Sequence, residues 1–230
     1  LLWSEFSPAL YKLNVELLTD EGTDNQLVDF GMKSFGVKGT QFTINGKTTF
    51  LRGKHDGCVF PLTGYPSTEV TDWLEQFRIA QRYGINHIRF HSWTPPVAAF
   101  KAADIAGVYL QPELPFWGTM DAKNTSLNQC LLHEGEQLLK EYGNSPSFTM
   151  MALGNELNGD INLMRRLVNH FRSMDNRHLY SFGSNNNLGT AGEQAGEDFF
   201  VTCRVGRDTD STYATHVRSS FSFADAWKGG

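Results

Sequence analysis

The sequence predicts an α/β fold in which helices alternate with the strands of a parallel sheet. From about residue 68 onward, segments with apolar residues at helical spacing alternate with short apolar runs. The first three helical segments are followed by Gly84, Gly107 and Gly143, and glycine is the residue that most often ends a helix. Chains that alternate strand and helix in this way form parallel sheets with buried strands.

Residues 1–36 have a different pattern, with two strand-like runs on either side of a turn-like segment at 19–25. Two or three strands cannot bury a core alone. We therefore expect 1–36 to be the C-terminal part of an immunoglobulin-like β-sandwich whose other strands precede Leu1. The chain does not begin with Met and shows no signal peptide, so we expect its N-terminus to be an internal point of a longer protein.

A hairpin signal comes next. Asn45-Gly46 separates two strand-like runs at 41–44 and 47–51, which is typical of a two-residue type I′ turn. The second run continues into 52–56, which we expect to be the first strand of the parallel sheet.

Helices and strands then follow in turn. We predict helices over 68–83, 96–106, 126–142 and 160–174, and strands over 85–91, 108–114, 150–154, 179–183 and 199–204. No glycine-rich phosphate-binding motif follows any strand, which disfavours the nucleotide-binding doubly wound folds. The pattern favours a (β/α)8 TIM-type barrel over 37–230 that is incomplete, with about six strands, and is truncated before strand seven.

Composition excludes several function classes. The net charge of −5 and the pI near 5.8 argue against a nucleic-acid or membrane-surface binder, and no apolar run reaches the length of a transmembrane helix. The three cysteines, Cys58, Cys130 and Cys203, are far apart and are expected to be buried free thiols rather than metal ligands.

Polar and aromatic residues follow the predicted strands at the end where barrels carry their chemistry. They lie in five segments, at 52–56, 89–96, 111–117, 155–156 and 184–187. Sugar hydroxyls need polar partners and sugar faces need rings, so this mixture of carboxylates, His, Arg, Asn and Trp predicts a carbohydrate site.

Each of these residues also has a structural interpretation. Glu156 could cap the next helix, and Arg89 could pair with Glu113 or Asp56. The remaining candidates could belong to the hydrogen-bonded scaffold or the core, namely His55, His91, Trp93 and Trp117.

Four motifs in series carry a family resemblance: LRGKHD at 51–56, YGINHIRFHSW at 83–93, ADIAGVYLQPE at 103–113 and GNE at 154–156. Their order and spacing resemble glycoside hydrolase family 2, the β-galactosidase, β-glucuronidase and β-mannosidase family, from about residue 27 to 160. The resemblance implies a β-sandwich followed by a (β/α)8 barrel, retaining hydrolysis of β-glycosides and no cofactor.

The resemblance also assigns roles. Glu156 matches the general acid/base, and Asn155 matches the residue that contacts the sugar 2-hydroxyl. The remaining predicted substrate-binding residues are Arg89, His91, Asp56, His55, Glu113, Trp93 and Trp117. Glu113 matches a residue that helps to hold a metal in some members, but no metal is predicted here.

Two departures from the family pattern stand out. The family continues its strand-two arginine with Ser-His-Tyr, whereas this chain has His91-Ser92-Trp93. The family's nucleophile is a Glu at the end of strand seven, which this chain does not reach. Glu193 and Glu197 have no buried strand leading into them, so the nucleophile is expected beyond the chain.

Three hypotheses result. The first is a retaining, β-galactosidase-like hydrolase that acts on oligosaccharides or polysaccharide-derived β-glycosides. The second is a non-catalytic carbohydrate-binding barrel. The third is metal-assisted hydrolysis through His55, His91 and Glu113. The oligomeric state is open, and the family favours a periplasmic or secreted location.

Overall fold

A long β-hairpin occupies the N-terminal part of the computed structural model, which describes residues 1–186, 188 and 194–201. Its strands β1 (Tyr11–Thr19) and β2 (Gly22–Phe30) pair in antiparallel register. Most of the side chains of both strands are exposed. The hairpin contains both predicted strand-like runs, but its turn is shorter than the predicted segment at 19–25, because Gly22 to Asn25 belong to β2.

A three-stranded antiparallel sheet follows, formed by β3 (Phe35–Lys38), β4 (Gln41–Ile44) and β5 (Lys47–Thr49). Asn45 and Gly46 connect β4 to β5 with φ of 53° and 77°, and two positive φ values are the mark of a type I′ turn. The predicted hairpin is present. Residue 36, where the predicted first domain ends, lies inside β3, and the division into two domains stays a prediction.

The remaining strands are short and the helices are longer. The strands are β6 (Gly53–Asp56), β7 (His87–Phe90), β8 (Tyr109–Gln111), β9 (Trp117–Met120), β10 (Met150–Ala152), β11 (Asn155–Gly159) and β12 (Leu179–Ser181). The helices are α1 (Val70–Arg82), α2 (Val97–Ala106), α3 (Thr125–Tyr142) and α4 (Ile161–Met174). The four predicted helices therefore begin and end within one or two residues of the observed bounds.

Parallel strands lie side by side in chain order. β6, β7 and β8 form one parallel sheet, and β10 pairs with β12. A parallel bridge between Glu113 and Ala152 places the end of β10 beside the end of β8, and a second bridge joins Ser184 to Val201. Val201 belongs to the predicted sixth strand, whose residues 202–204 lie outside the described residues. The described strands form an open parallel arrangement, without a closed barrel.

One strand pair was not predicted. β9 and β11 pair in parallel with each other, apart from the other strands, and the register shifts between Asn155 and Asn158. The predicted strand over 150–154 therefore ends at Ala152, and the chain changes direction before Asn155. Gly154 has φ 141°, and a Cβ at this position would overlap the carbonyl oxygen of Phe116. This close backbone approach sets the new strand direction.

Local signals explain where the helices begin and end. The Asn124 side chain accepts a hydrogen bond from the backbone of Leu127 at the start of α3, and Asp160 does the same for Leu163 in α4. Gly107 ends α2 in the left-handed conformation with φ 77°. Among the described helices, none is long and apolar enough to cross a membrane.

Two apolar clusters hold these elements together. The larger one fills the space between the parallel strands and the helices, with Trp73, Phe100, Phe148 and Phe171 fully or almost fully buried. The smaller one packs the β3–β5 sheet against the parallel strands and consists of Trp3, Phe35, Ile44, Tyr109, Met150 and Phe199. The antiparallel sheet is therefore part of the same packed body as the parallel strands.

A glycine in the middle of α3 yields a stability prediction. A Cβ at Gly135 would overlap the buried ring of Phe171 on α4. Gly135→Ala should gain about 1 kcal/mol of helix propensity but lose more to overpacking, so we expect a net destabilisation of about 1–2 kcal/mol. Urea denaturation of the 230-residue chain measures it.

Two further variants control this experiment. Gln137→Ala, at an exposed position of the same helix, should change stability by less than about 0.5 kcal/mol. Adding Phe171→Leu to Gly135→Ala should recover part of the loss by making room. A stabilised Gly135→Ala variant would show that α3 and α4 pack less closely than described.

Candidate functional site

Polar side chains of neighbouring strands meet on one face of the parallel sheet. The register pairs His55 of β6 with Arg89 of β7, and Arg89 with Gln111 of β8. Paired residues on adjacent strands point to the same side of a sheet. Arg89 therefore stands in the middle of this face, close to the carboxyl ends of three strands.

Arg89 is held by two partners. Its Nε donates to Glu113 Oε1 at 2.7 Å and its Nη2 to Glu113 Oε2 at 3.1 Å, which makes a bidentate ion pair. The same Nη2 donates to Asn155 Oδ1 at 2.6 Å. All three residues are buried, and Glu113 has no exposed surface. The guanidinium thus connects the end of β8 to the segment that carries Asn155.

Glu113 accepts two more hydrogen bonds. The backbone N–H of Ser92 donates to Oε2 at 2.8 Å, and the Ser184 hydroxyl donates to Oε1 at 2.6 Å. Four donor contacts surround a carboxylate that solvent does not reach. The structural pairing with Arg89 is the arrangement observed, and contact of Glu113 with substrate stays a prediction.

The segment after Asn155 has an unusual backbone. Glu156 has φ 51°, in the left-handed region that residues with a side chain seldom adopt. Its N–H donates to the carbonyl oxygen of Ser184 at 2.7 Å, and the next N–H, of Leu157, donates to Asn186 Oδ1 at 2.9 Å. The segment after β12 therefore holds the Asn155–Glu156 turn, and Glu156 is half-buried.

Three rings line the open edge of the site. The ring centroids of His55 and His91 are 4.9 Å apart, and those of His91 and Trp117 are also 4.9 Å apart. Trp117 is 60% exposed, and β9 places it directly opposite Asn155 in β11. Burial lowers the pKa of His55, and the charges of Arg89 and His91 lower it further. The three rings offer an exposed aromatic surface next to the Arg89–Asn155 pair.

Asp56 points away from this face. It follows His55 in β6, and successive strand residues point to opposite sides. Its Oδ2 accepts from Lys54 Nζ at 3.0 Å and its Oδ1 from the Cys58 N–H at 3.1 Å. Its carboxylate stabilises the loop after β6, and binding of substrate by Asp56 stays a prediction.

Trp93 also lies outside the site. It packs against Phe60, Trp73 and Phe90, with ring centroids 5.2–6.5 Å away, and its Nε1 donates to the Asp56 carbonyl oxygen. This packing is the structural alternative for Trp93, and a sugar-stacking role stays a prediction. The contacts described above bring together His55, Arg89, His91, Glu113, Trp117 and Asn155, and Glu156 follows Asn155 along the chain.

Beneath the site lies a cavity of about 390 Å³ whose lining includes His55, His87, Arg89, Gln111 and Met150. His87 Nε2 and both amide atoms of Gln111 are buried there without a hydrogen bond of normal geometry. Burial lowers the pKa of His87 to about 4; the nearby Gln111 amide opposes this shift and Arg89 adds to it. The imidazole is therefore neutral at pH 7.

The remaining sequence predictions concern two glutamates, the cysteines and a possible metal site. Glu197 is buried and accepts hydrogen bonds from the backbone of Phe182 and Gln194, whereas Glu193 lies outside the described residues. Cys58 and Cys130 are exposed, so the expectation of buried thiols is wrong for these two, and Cys203 is not described. Within the described part of the chain, no three His, Cys, Asp or Glu side chains form a group that could hold a metal ion.

Sequence reasoning did not assign a role to Ser184 or to Asn186. Both follow the fifth predicted strand, where barrels carry functional residues, and this position was the available signal. Their partners lie on other strands, so the sequence alone gave no reason to choose them over Asn185.

The chain is similar in sequence to β-galactosidases and to a β-glucuronidase. The chain is 26% identical over 163 residues to a β-galactosidase of Oenococcus oeni, which covers 67% of this chain and 16% of that protein. It is 24% identical over 197 residues to the β-glucuronidase of Mus musculus, covering 80% and 29%. No family model matches the chain.

A solved structure decides the fold relationship. A glycosyl hydrolase family 2 member from Bacteroides cellulosilyticus superposes with a TM-score of 0.71 at 18% identity, covering 94% of this chain and 27% of that one. The resemblance to glycoside hydrolase family 2 is confirmed. The chain spans less than a third of the family 2 relatives that it matches here.

The buried imidazole of His87 predicts a pH dependence of stability. The unfolded chain protonates His87 as the pH falls below its ordinary pKa of 6.5, whereas the folded chain resists until about pH 4. The contribution of His87 to the free energy of unfolding is therefore fully present above pH 6.5. It is lost as the pH falls towards 4, by up to about 3 kcal/mol, because the unfolded chain then binds a proton that the folded chain does not. Urea denaturation at pH 7.5 and pH 4.5 measures the loss.

Variants isolate this contribution. His87→Gln should lose less stability between the two pH values than the wild type, because it has no proton to bind. His133→Gln, at an exposed position of α3, should keep the wild-type dependence. His55 and His178, whose pKa values are also lowered, contribute to all three proteins alike. Equal pH dependence in His87→Gln and wild type would contradict the assignment.

Proposed function

We propose that this chain is part of a retaining β-glycoside hydrolase and that Glu156 is its general acid/base. The observation that carries the proposal is the fixed arrangement around Asn155. The buried Arg89–Glu113 pair holds Asn155 at the carboxyl ends of parallel strands, and Glu156 follows directly. The order of these residues matches the family motifs, and the named relatives are β-galactosidases and β-glucuronidases.

The proposed architecture is a (β/α)8 barrel over 37–230, truncated before strand seven, with 1–36 as the end of a β-sandwich. The side-by-side order of β6, β7, β8, β10, β12 and Val201 supports it, since a barrel places consecutive parallel strands next to each other. The small share of the relatives that the chain spans supports a nucleophile located beyond it.

In the proposed mechanism, Glu156 protonates the glycosidic oxygen as the bond breaks and then takes a proton from the attacking water. A second carboxylate, roughly 5–5.5 Å from the first in retaining enzymes, forms the covalent intermediate. Arg89 holds the carbonyl oxygen of the Asn155 amide, which leaves the NH2 group to meet the sugar 2-hydroxyl. Trp117 offers its exposed ring to an apolar sugar face.

A β-galactoside is the first choice of substrate. This choice rests on the family resemblance and on the β-galactosidases among the relatives.

Activity of the full-length polypeptide that carries this chain tests the role of Glu156. On a panel of aryl β-glycosides, Glu156→Gln should lower kcat/KM by about 10²–10⁴ for poor leaving groups, because general acid catalysis is removed. The loss should shrink for leaving groups that depart without a proton. Glu134→Gln, on the exposed side of α3, should keep wild-type activity.

Two results would contradict this role. Wild-type activity of Glu156→Gln would show that another group protonates the leaving oxygen. A full-length protein that binds a sugar and hydrolyses no glycoside would instead support the non-catalytic carbohydrate-binding barrel.

The isolated 230-residue chain should hydrolyse no aryl β-glycoside, because retaining hydrolysis needs two carboxylates and the proposed nucleophile lies beyond this chain. A sensitive fluorogenic assay on the purified chain checks this, with the full-length protein as the positive control. Turnover by the isolated chain that disappears in Glu156→Gln would show that the nucleophile lies within it.

A further inference from the structure

We propose that Ser184 and Glu113 act together as positioning residues for the Asn155–Glu156 turn. The inference rests on the proposed function and adds to it a pair of residues that never touch the substrate. Ser184 lies just after β12 and has no exposed surface. Its backbone groups contact Gly154 and Glu156 and its hydroxyl contacts Glu113, so a single buried serine links two parts of the site.

The contacts of Ser184 lie on both sides of the turn. Its backbone N–H donates to the Gly154 carbonyl oxygen at 2.9 Å, and its own carbonyl oxygen accepts from the Glu156 N–H at 2.7 Å. Its hydroxyl donates to Glu113 Oε1 at 2.6 Å. The backbone of Ser184 therefore holds the turn in place, while its side chain ties that backbone to the buried carboxylate.

Glu113 connects Ser184 to the residues on the substrate-binding side. It holds Arg89 through two hydrogen bonds, and Arg89 holds the Asn155 carbonyl oxygen. The short Oγ–Oε1 contact is a charge-assisted bond, which is stronger than one between neutral groups. Removing the Ser184 hydroxyl leaves Oε1 with Arg89 Nε as its remaining donor. The carboxylate and the guanidinium are then free to shift together, and Asn155 shifts with them.

Burial decides between a positioning and a catalytic role. Neither Ser184 nor Glu113 is accessible to solvent, so neither reaches a sugar bound at the rim. Their effect must pass through Arg89, Asn155 and Glu156. A loss of positioning lowers the rate of the chemical step more than it weakens the binding of substrate, and a misplacement of about 1 Å can cost about 100-fold.

The chain offers a matched control for Ser184. Ser181 lies on β12, is equally buried, and has a hydroxyl without a hydrogen-bond partner. Ser181→Ala and Ser184→Ala each remove one oxygen atom from a buried serine of neighbouring position. In the full-length protein, Ser184→Ala should lower kcat about 10- to 100-fold with KM changed less than about threefold. Ser181→Ala should keep both constants.

A double-mutant cycle tests whether the two residues act together. Glu113→Leu removes the countercharge of Arg89 and every acceptor of the Ser184 hydroxyl, and should lower kcat further than Ser184→Ala, with some loss of stability. Adding Ser184→Ala to Glu113→Leu should then lower kcat less than twofold, because the bond between the two side chains is already lost. If the two substitutions instead lower kcat by factors that multiply in the double variant, the two side chains act independently and the proposed coupling is wrong.

NMR spectroscopy tests the proposed positioning by Ser184 and Glu113 without an activity assay. The Nε–H proton of Arg89 is buried against Glu113, so its ¹H–¹⁵N resonance should be sharp and protected from exchange; its absence in Arg89→Lys assigns it. Ser184→Ala should shift the resonance and speed its exchange, and Ser181→Ala should not.

The outcomes separate the two proposals. If wild type hydrolyses no glycoside, the proposed function fails, and the Arg89 resonance still tests the positioning pair. If wild type is active and Glu156→Gln is not, but Ser184→Ala matches Ser181→Ala in kcat and in the Arg89 resonance, the positioning pair is wrong and the proposed function stands.

Discussion

The buried carboxylate of Glu113 is the group on which the described site depends. Removing a carboxylate from water costs several kcal/mol, and the cost is offset only when a cation and further donors surround it. Here the cation is Arg89 of β7, and the other donors are Ser92 and Ser184. Since Arg89 and Ser92 lie at the end of β7 and Ser184 lies after β12, satisfying the one carboxylate at the end of β8 fixes three strand ends relative to each other. Arg89 therefore serves as a connector to Asn155 as well as a countercharge.

The helices could be predicted closely because their signals are local. The apolar spacing of α1 and α4 and glycines such as Gly107 are read directly along the chain. The β9–β11 pair could not be predicted in the same way. Its strands have no apolar run, and their pairing depends on the approach of Gly154 to Phe116, which is a contact between distant segments. The role of Gly135 is hidden for the same reason, because only the ring of Phe171 explains it.

The sequence predicted which residues lie at the strand ends, but not the direction of their side chains. His55 and Asp56 are adjacent and equally polar, yet the strand turns one towards Arg89 and the other towards Lys54. A shift of one residue in register would exchange them. Ser184 shows a second limit. Its hydroxyl bonds to a carboxylate that follows another strand, and no residue near it in the sequence indicates that partner.

The backbone of Glu156 unites these observations. A left-handed conformation costs a residue with a side chain roughly 1–2 kcal/mol, and it persists only where the surroundings hold it. At φ 51° the turn interrupts the alternation that would otherwise force Asn155 and Glu156 onto opposite faces. The hydrogen bonds that hold it come from the Ser184 carbonyl oxygen and the Asn186 side chain, both after β12. The strand that carries the Asn-Glu pair therefore does not orient it alone, because the backbone conformation of Glu156 depends on hydrogen bonds to the segment after β12.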